Sequence, residues 1–288
     1  MNFLREFNDS YRQVFGLASR NLARAKKQGL CICPPPMNSV VDEKMISYRL
    51  DLGVLDIPVN LIVGVAEENE KTSLYTGDFL PVSPVKSKYA DQWREIREQF
   101  VCEKGFHKEI RCYEYLGRFY VSDGLKRVSV AKYHQAEVIK SQVIRLMPVR
   151  TESMKIARYY DFLFQFRLTR LYQLQFTQSG YFEQLQAALG NAPTCRWTDS
   201  DRTKFLSVWH NIECAFHKSF GDSLKITVAD AFVVMLEKYS FDQIANMESW
   251  MLARIMQSLW RELYALSSQD LTCSEKSCVH GDNILQTA

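Results

Sequence analysis

Residues 118–134 read Arg-Phe-Tyr-Val-Ser-Asp-Gly-Leu-Lys-Arg-Val-Ser-Val-Ala-Lys-Tyr-His, and they hold the clearest chemistry in the chain. A run of β-forming residues meets Asp123-Gly124, and Lys126 and Arg127 follow at the head of a helical pattern. A strand, a glycine turn and a helix N-terminus leave backbone N–H groups unpaired at the positive end of the helix dipole. With two cations in the first turn, the arrangement suits an anion, phosphate above all. The plainer alternative is a turn that merely joins strand to helix, with both cations solvated.

Other groups with ligand chemistry are weaker. Cys31 and Cys33 run into Pro34-Pro35-Pro36, and no second pair follows at zinc-finger spacing, so they read as free thiols. His210, Cys214 and His217 fall on one helical face, but beside Trp209 and Phe216, and they read as packed core rather than a metal trio. Cys273, Cys278 and His280 belong to a frayed tail. No metal site is expected.

Apolar residues make up 47% of the 288 and charged residues 24%, enough for a real core and too ordered a composition for disorder. A net charge of +3 is too weak to argue for nucleic acid without local clustering. No apolar run reaches the ~18 residues of a membrane span, so no membrane partner is expected. The opening Met1-Asn2-Phe3-Leu4-Arg5 lacks the apolar centre of a signal peptide. Eight cysteines then read as reduced thiols, and the expectation is a cytoplasmic protein.

The elements that must position the turn follow from periodicity. Residues 3–27 repeat apolar positions at Phe3, Phe7, Tyr11, Val14 and Ala18, a helix stopped by Gly29. Its basic end, Arg20, Arg24, Lys26 and Lys27, reads as a solvated face before an extended proline linker. Residues 44–52 read as a short helix or strand ending at Gly53, and 54–65 as a strand with Pro58 at its start or edge. Residues 66–87 form a long loop, and loops of that length inside a domain are often functional. A helix over 88–101, a strand pair across Leu116-Gly117, the helix 126–134 and a strand over 138–147 complete this half. From about 150 the pattern is helical, at 158–174, 180–189, from Thr198, from Thr227 and at 247–266. The fold class is therefore α+β, followed by an all-α C-terminal domain. Four segments are expected: an N-terminal helix and linker (1–43), the α+β domain (44–149), a helical domain (150–267) and a disordered tail (268–288).

This order of parts resembles the ParB-like / sulfiredoxin superfamily over roughly 50–147. The phrase from Leu116-Gly117-Arg118 through Asp123-Gly124-Leu125-Lys126-Arg127-Val128-Ser129-Val130-Ala131 is its most specific part. It is similar to bacterial members of the ParB-like nuclease type whose turn reads Asp-Gly-His-His-Arg-Val-Ser-Val-Ala. Tyr160-Asp161-Phe162-Leu163 and 176–181 loosely resemble the helical domain that follows in those proteins. In the superfamily this turn holds nucleotide phosphates, which implies CTP or ATP with Mg as cofactor. The resemblance implies that Gly124 admits the phosphate and that Arg127 pairs with it as a fork, supplemented by Lys126 and by the turn residues Leu125 and Ser129. It further implies that Asp123 orients a metal or accepts a proton. A free-serine kinase in the superfamily uses an upstream carboxylate. Glu67, Glu68 and Glu70 lie in the corresponding loop, and Glu68 is the working candidate.

The chain departs from its relatives at two positions. Leu125 stands where sulfiredoxin needs a cysteine, which removes that activity, and Leu125-Lys126 replaces the paired histidines. The first expectation is thus a nucleotide-binding protein, with phosphotransferase or triphosphatase activity open. A second is a DNA-binding regulator of partition type, because 240–259 loosely follows helix-turn-helix spacing, with Ile244-Ala245 and Ile255 inward. Its recognition helix would offer Glu248, Trp250, Met251 and Arg254, of which Trp250 and Met251 read as core. A third is a degenerate, non-catalytic interaction protein. A homodimer is compatible with all three.

Overall fold

The computed structural model describes residues 3–103, 105–220, 223, 224 and 226–268, with backbone alone for 3–9. The expected disordered tail, with Cys273, Cys278 and His280, lies outside the described residues except for Ser268. The protein is α+β and divides into two compact units, 1–156 and 157–288.

In the first unit, helix α1 (Phe3–Gln28) leads through the prolines to strand β1 (Ile46–Pro58) and strand β2 (Ile62–Val65). Helix α2 (Lys88–Glu103), strands β3 (Ile110–Tyr115) and β4 (Arg118–Asp123), helix α3 (Leu125–Tyr133) and strand β5 (Val138–Pro148) follow. The five strands form one mixed sheet in the order β1-β5-β3-β4-β2. β1–β5 and β3–β4 are antiparallel, while β3–β5 and β2–β4 are parallel.

The β3–β4 hairpin forms where expected. Leu116 (φ 49°) and Gly117 (φ 75°) are both left-handed, the geometry a two-residue hairpin needs to match strand twist. Behind it, Glu114 on β3 is fully buried and paired with Arg145, its register neighbour on β5. Its other carboxylate oxygen accepts from the Gly117 N–H at 2.8 Å, so one side chain ties the turn to the sheet.

Two expectations change. Gly53 does not end an element; β1 runs straight through it as a bulge, with φ +70° and a register shift against β5. Asp51 Oδ1 accepts from the Gly53 N–H at 2.8 Å and from Gln142 Nε2 at 2.7 Å, which fixes the bulge from a strand distant in sequence. The strand expected over 54–65 is interrupted, since β1 ends at Pro58 and a 3-10 turn over Val59–Leu61 precedes β2; the segment 66–87 is a loop as expected, and a packed one, with Thr72, Tyr75, Thr76, Phe79 and Leu80 buried. The proline linker is also anchored: the Val65 N–H donates to the Pro35 carbonyl at 3.0 Å, so the linker covers the outer edge of β2.

The core beneath the turn joins three helices. Tyr11, Val14 and Ala18 of α1 pack with Ala90 and Trp93 of α2 and Val130 of α3. Trp93 is fully buried and meets the rings of Tyr11 and Tyr133 edge-on, at 5.4 and 5.7 Å.

In the second unit, helix α4 (Met154–Thr169, begun in the first unit) stops earlier than expected. Arg170 turns left-handed (φ 63°) and Thr169 Oγ1 accepts from the Leu171 N–H, so 170–174 leave the helix and bury Leu171, Tyr172 and Leu174. Helices α5 (Tyr181–Ala188), α6 (Asp199–Phe220), α7 (Val228–Leu236), α8 (Phe241–Ala245) and α9 (Ser249–Ser258) follow, and 260–268 is again helical. Thr198 and Asp201 cap α6 reciprocally, as Thr227 and Asp230 cap α7. Asp230 is fully buried and also accepts from the Thr177 N–H and hydroxyl, both at 2.9 Å. The aromatic stripe of α6 (Phe205, Trp209, Phe216, Phe220) packs with Phe232, Leu252 and Met256.

Candidate functional site

The turn that suits an anion in sequence is built from the C-terminal end of β4, the N-terminal end of β3 and the first turn of α3. Asp123 pairs with Arg111 across the hairpin, so Gly124 comes to rest over the neighbouring Ile110. Gly124 is left-handed (φ 105°), and a β-carbon there would stand 2.5 Å from Ile110 Cγ2 and 3.0 Å from Arg127 Nη2. Glycine is required twice over, by backbone conformation and by the approach of Ile110.

The α3 N-terminus is left open electrostatically. No side chain caps it, and its first turn carries no acidic residue. The first intrahelical bond is the Val128 N–H to the Gly124 carbonyl, at 3.1 Å. Cations sit at this end instead, where the dipole disfavours them, and an anion would relieve both.

The two cations diverge. Arg127 folds back across Gly124, with Nη2 3.6 Å from Asp123 Oδ2 and donating to the Glu109 carbonyl at 3.4 Å. Its Nε is buried without a partner. Lys126 turns toward α2, where Nζ donates to Gln92 Oε1 at 2.5 Å and lies 5.1 Å from the centre of the Tyr89 ring. Burial, then the charge of Lys71, holds the Lys126 ammonium below the ordinary lysine value, against the pull of Glu95.

The remaining candidates stand apart. Leu125 is half-buried at the first helical position. Ser129 is fully buried, and its hydroxyl accepts from Trp93 Nε1 at 3.0 Å, so it faces the core rather than the mouth of the turn. Glu68 is exposed just past β2, whose parallel pairing with β4 sends both strands out at the same end of the sheet. Its described electrostatic neighbour is Cys33, whose thiol is pushed up by burial first and by Glu68 next. Among the described contacts none joins Glu68 to Asp123, Lys126 or Arg127.

Sequence reasoning missed Gln92, Tyr89, Glu109 and Ile110, which set where the two cations and the glycine lie. The only signal was indirect: a buried tryptophan on α2 needs an acceptor for its indole N–H, and Ser129 is within one helix of the turn.

The other expected groups are elsewhere. His210 and Cys214 lie 3.7 Å apart, yet His210 and His217 are exposed, not packed core, because each sits one residue off the Trp209–Phe216 stripe. No group of three or more metal-ligating side chains gathers among the described residues. In the 240–259 segment Ile244 is buried but Ala245 is exposed. Trp250 (59% exposed) and Met251 (37%) also face outward, a correction of their core reading, since Leu252 and Met256 take the inward side of α9. A cavity of about 270 Å³ lies away from the turn, between the end of α1 and residues 76–78. Among the described residues no helix is long and apolar enough to cross a membrane.

Comparison with family models and with curated proteins finds no match to this chain.

Proposed function

We propose that this chain binds the phosphates of a nucleotide at the β4–α3 turn, in the manner the ParB-like / sulfiredoxin resemblance implies. One observation carries the reading. The α3 N-terminus has no capping side chain and no acidic residue in its first turn, yet it carries Lys126 and Arg127. An isolated connector would gain from an acidic or hydroxyl cap here; a cationic, uncapped end gains from a bound anion.

On this reading the 125–127 N–H groups and the Arg127 fork hold the phosphates, and Gly124 lets them approach. Lys126 reaches them by leaving Gln92. Asp123 is held near Arg127 and would be displaced or would meet a magnesium ion that arrives with CTP or ATP. The described contacts do not gather the carboxylates that phosphotransfer needs, so the proposal is one of binding, and a phosphotransferase or triphosphatase step is assayed separately. DNA recognition through α8–α9 has less support: α9 carries Arg254 as its single cation, where a helix that tracks phosphates brings several.

Thermal unfolding with and without CTP or ATP plus magnesium tests the proposal. Binding raises the midpoint as the logarithm of ligand concentration over Kd; no rise with any nucleoside triphosphate would remove it.

A further inference from the structure

The two edges of the sheet are treated differently. β2 is only four residues long, and the Pro35–Pro36 segment covers its outer side. β1 is 13 residues long and, among the described residues, pairs only with β5. Apart from that ladder and the Gly53 N–H held by Asp51, no backbone hydrogen bond among the described residues engages 47–57. Residues 47–51 are all exposed, Tyr48 at 53% and Leu50 at 43%. A long apolar edge strand left open is a template for another strand, and proteins normally blunt it.

The sequence of this edge is self-complementary. In an antiparallel pair centred on Leu50, Arg49 of one copy stands opposite Asp51 of the other, twice by symmetry, and Tyr48 stands opposite Leu52. Leu50 meets itself on the same face as Tyr48 and Leu52. The groups are available for this. Arg49 is 57% exposed with only a 3.5 Å surface contact to Glu43, and both bonds accepted by Asp51 fall on Oδ1, leaving Oδ2. The regular register of β1 against β5 runs from Tyr48 to Asp51 between two irregularities, so the symmetric ladder about Leu50 is short and reaches from Tyr48 to Leu52, at the start of the bulge.

We infer that β1 pairs with a second copy of this chain, antiparallel about Leu50, to form a two-fold dimer. The inference is independent of nucleotide binding. The short ladder makes the dimer concentration-dependent.

Sedimentation velocity of the full chain over a concentration series reads this directly. The 33.5 kDa monomer should give way to a species of twice that mass as concentration rises. Leu50→Lys sets two ammonium groups against each other at the axis and should weaken association about tenfold or more. Arg49→Glu, which opposes Asp51, should do the same, so a folding failure in one variant leaves the other to decide. Leu50→Cys should cross-link to itself with a short reagent beyond the wild-type background. Val54→Cys, roughly 27 Å from its own copy in this register, should not. A chain monomeric at every concentration, a dimer indifferent to both charge variants, or equal cross-linking at 50 and 54 would overturn the inference. An edge that takes only a foreign extended peptide would appear as the first of these.

Discussion

Arg127 lies across Gly124, with its Nη2 3.0 Å from the point a β-carbon on that glycine would occupy. The same guanidinium reaches back to Asp123 at 3.6 Å and to the Glu109 carbonyl at 3.4 Å. The turn is therefore a small closed arrangement in which glycine makes room for an arginine that currently spends its fork on the protein itself. Two roles of Gly124 are entangled in it, packing against Ile110 and openness toward a ligand, and they can be separated.

Gly124→Ala should destabilise the fold by about 2–4 kcal/mol, from left-handed strain and the 2.5 Å approach to Ile110 Cγ2. In the background of Ile110→Ala the 2.5 Å contact with Cγ2 is removed, while the 2.9 Å contact with Cβ and the left-handed strain remain. Denaturant unfolding of the four proteins should then give a double-mutant coupling of about 1 kcal/mol or more. Strict additivity would show that Ile110 does not impose the glycine.

Asp123→Asn separates two roles for the carboxylate. If Asp123 mainly competes with phosphate for Arg127, neutralising it should tighten the binding of inorganic pyrophosphate severalfold. If it is needed to hold a metal or a proton, Mg-nucleotide binding or turnover should fall instead. The surface pair is worth little to folding, about 0–1 kcal/mol, so stability should barely move.

Ser129 should matter for stability alone. Ser129→Ala leaves the buried Trp93 indole N–H without its acceptor and should cost about 1–3 kcal/mol in chemical denaturation. Nucleotide affinity measured on the folded variant should match the wild type.

Alkaline stability should report on Cys112. Burial pushes this thiol up from 9.0 to about 12, against a hydrogen bond from Ser141 that pulls it down. The folded state keeps the proton that the unfolded chain releases above its ordinary value. The contribution is therefore fully present below pH 9 and is lost as pH rises toward 12, at about 1.4 kcal/mol per pH unit. Between pH 9 and 10, the wild type should lose stability faster than Cys112→Ala by about that slope.

What the sequence made legible was local. The Leu116-Gly117 hairpin, the Asp123-Gly124 turn and the Thr198 and Thr227 caps each have their geometry dictated within four residues. Gly53 was opaque because a glycine bulge and a glycine stop look alike until Gln142, on another strand, is brought to Asp51. The buried Glu114–Arg145 pair depends on the register of β3 against β5, which no spacing reveals. On α9 Trp250 and Met251 were placed inward when Leu252 and Met256 hold those sites, and on α6 His210 was grouped with a buried stripe that Trp209 and Phe216 form without it. At the candidate turn, the residue types were legible but the direction of each long cation was not. Gln92 and Glu109 decide that.

Isothermal titration of the wild type and Arg127→Ala with CTP and with ATP, each with magnesium, tests the central claim most directly. The account predicts saturable binding of at least one nucleotide by the wild type, and a loss of about 10- to 100-fold in affinity when the charge-assisted fork is removed from an otherwise folded protein. No binding of either nucleotide to the wild type, or equal affinity in the two proteins, would contradict it.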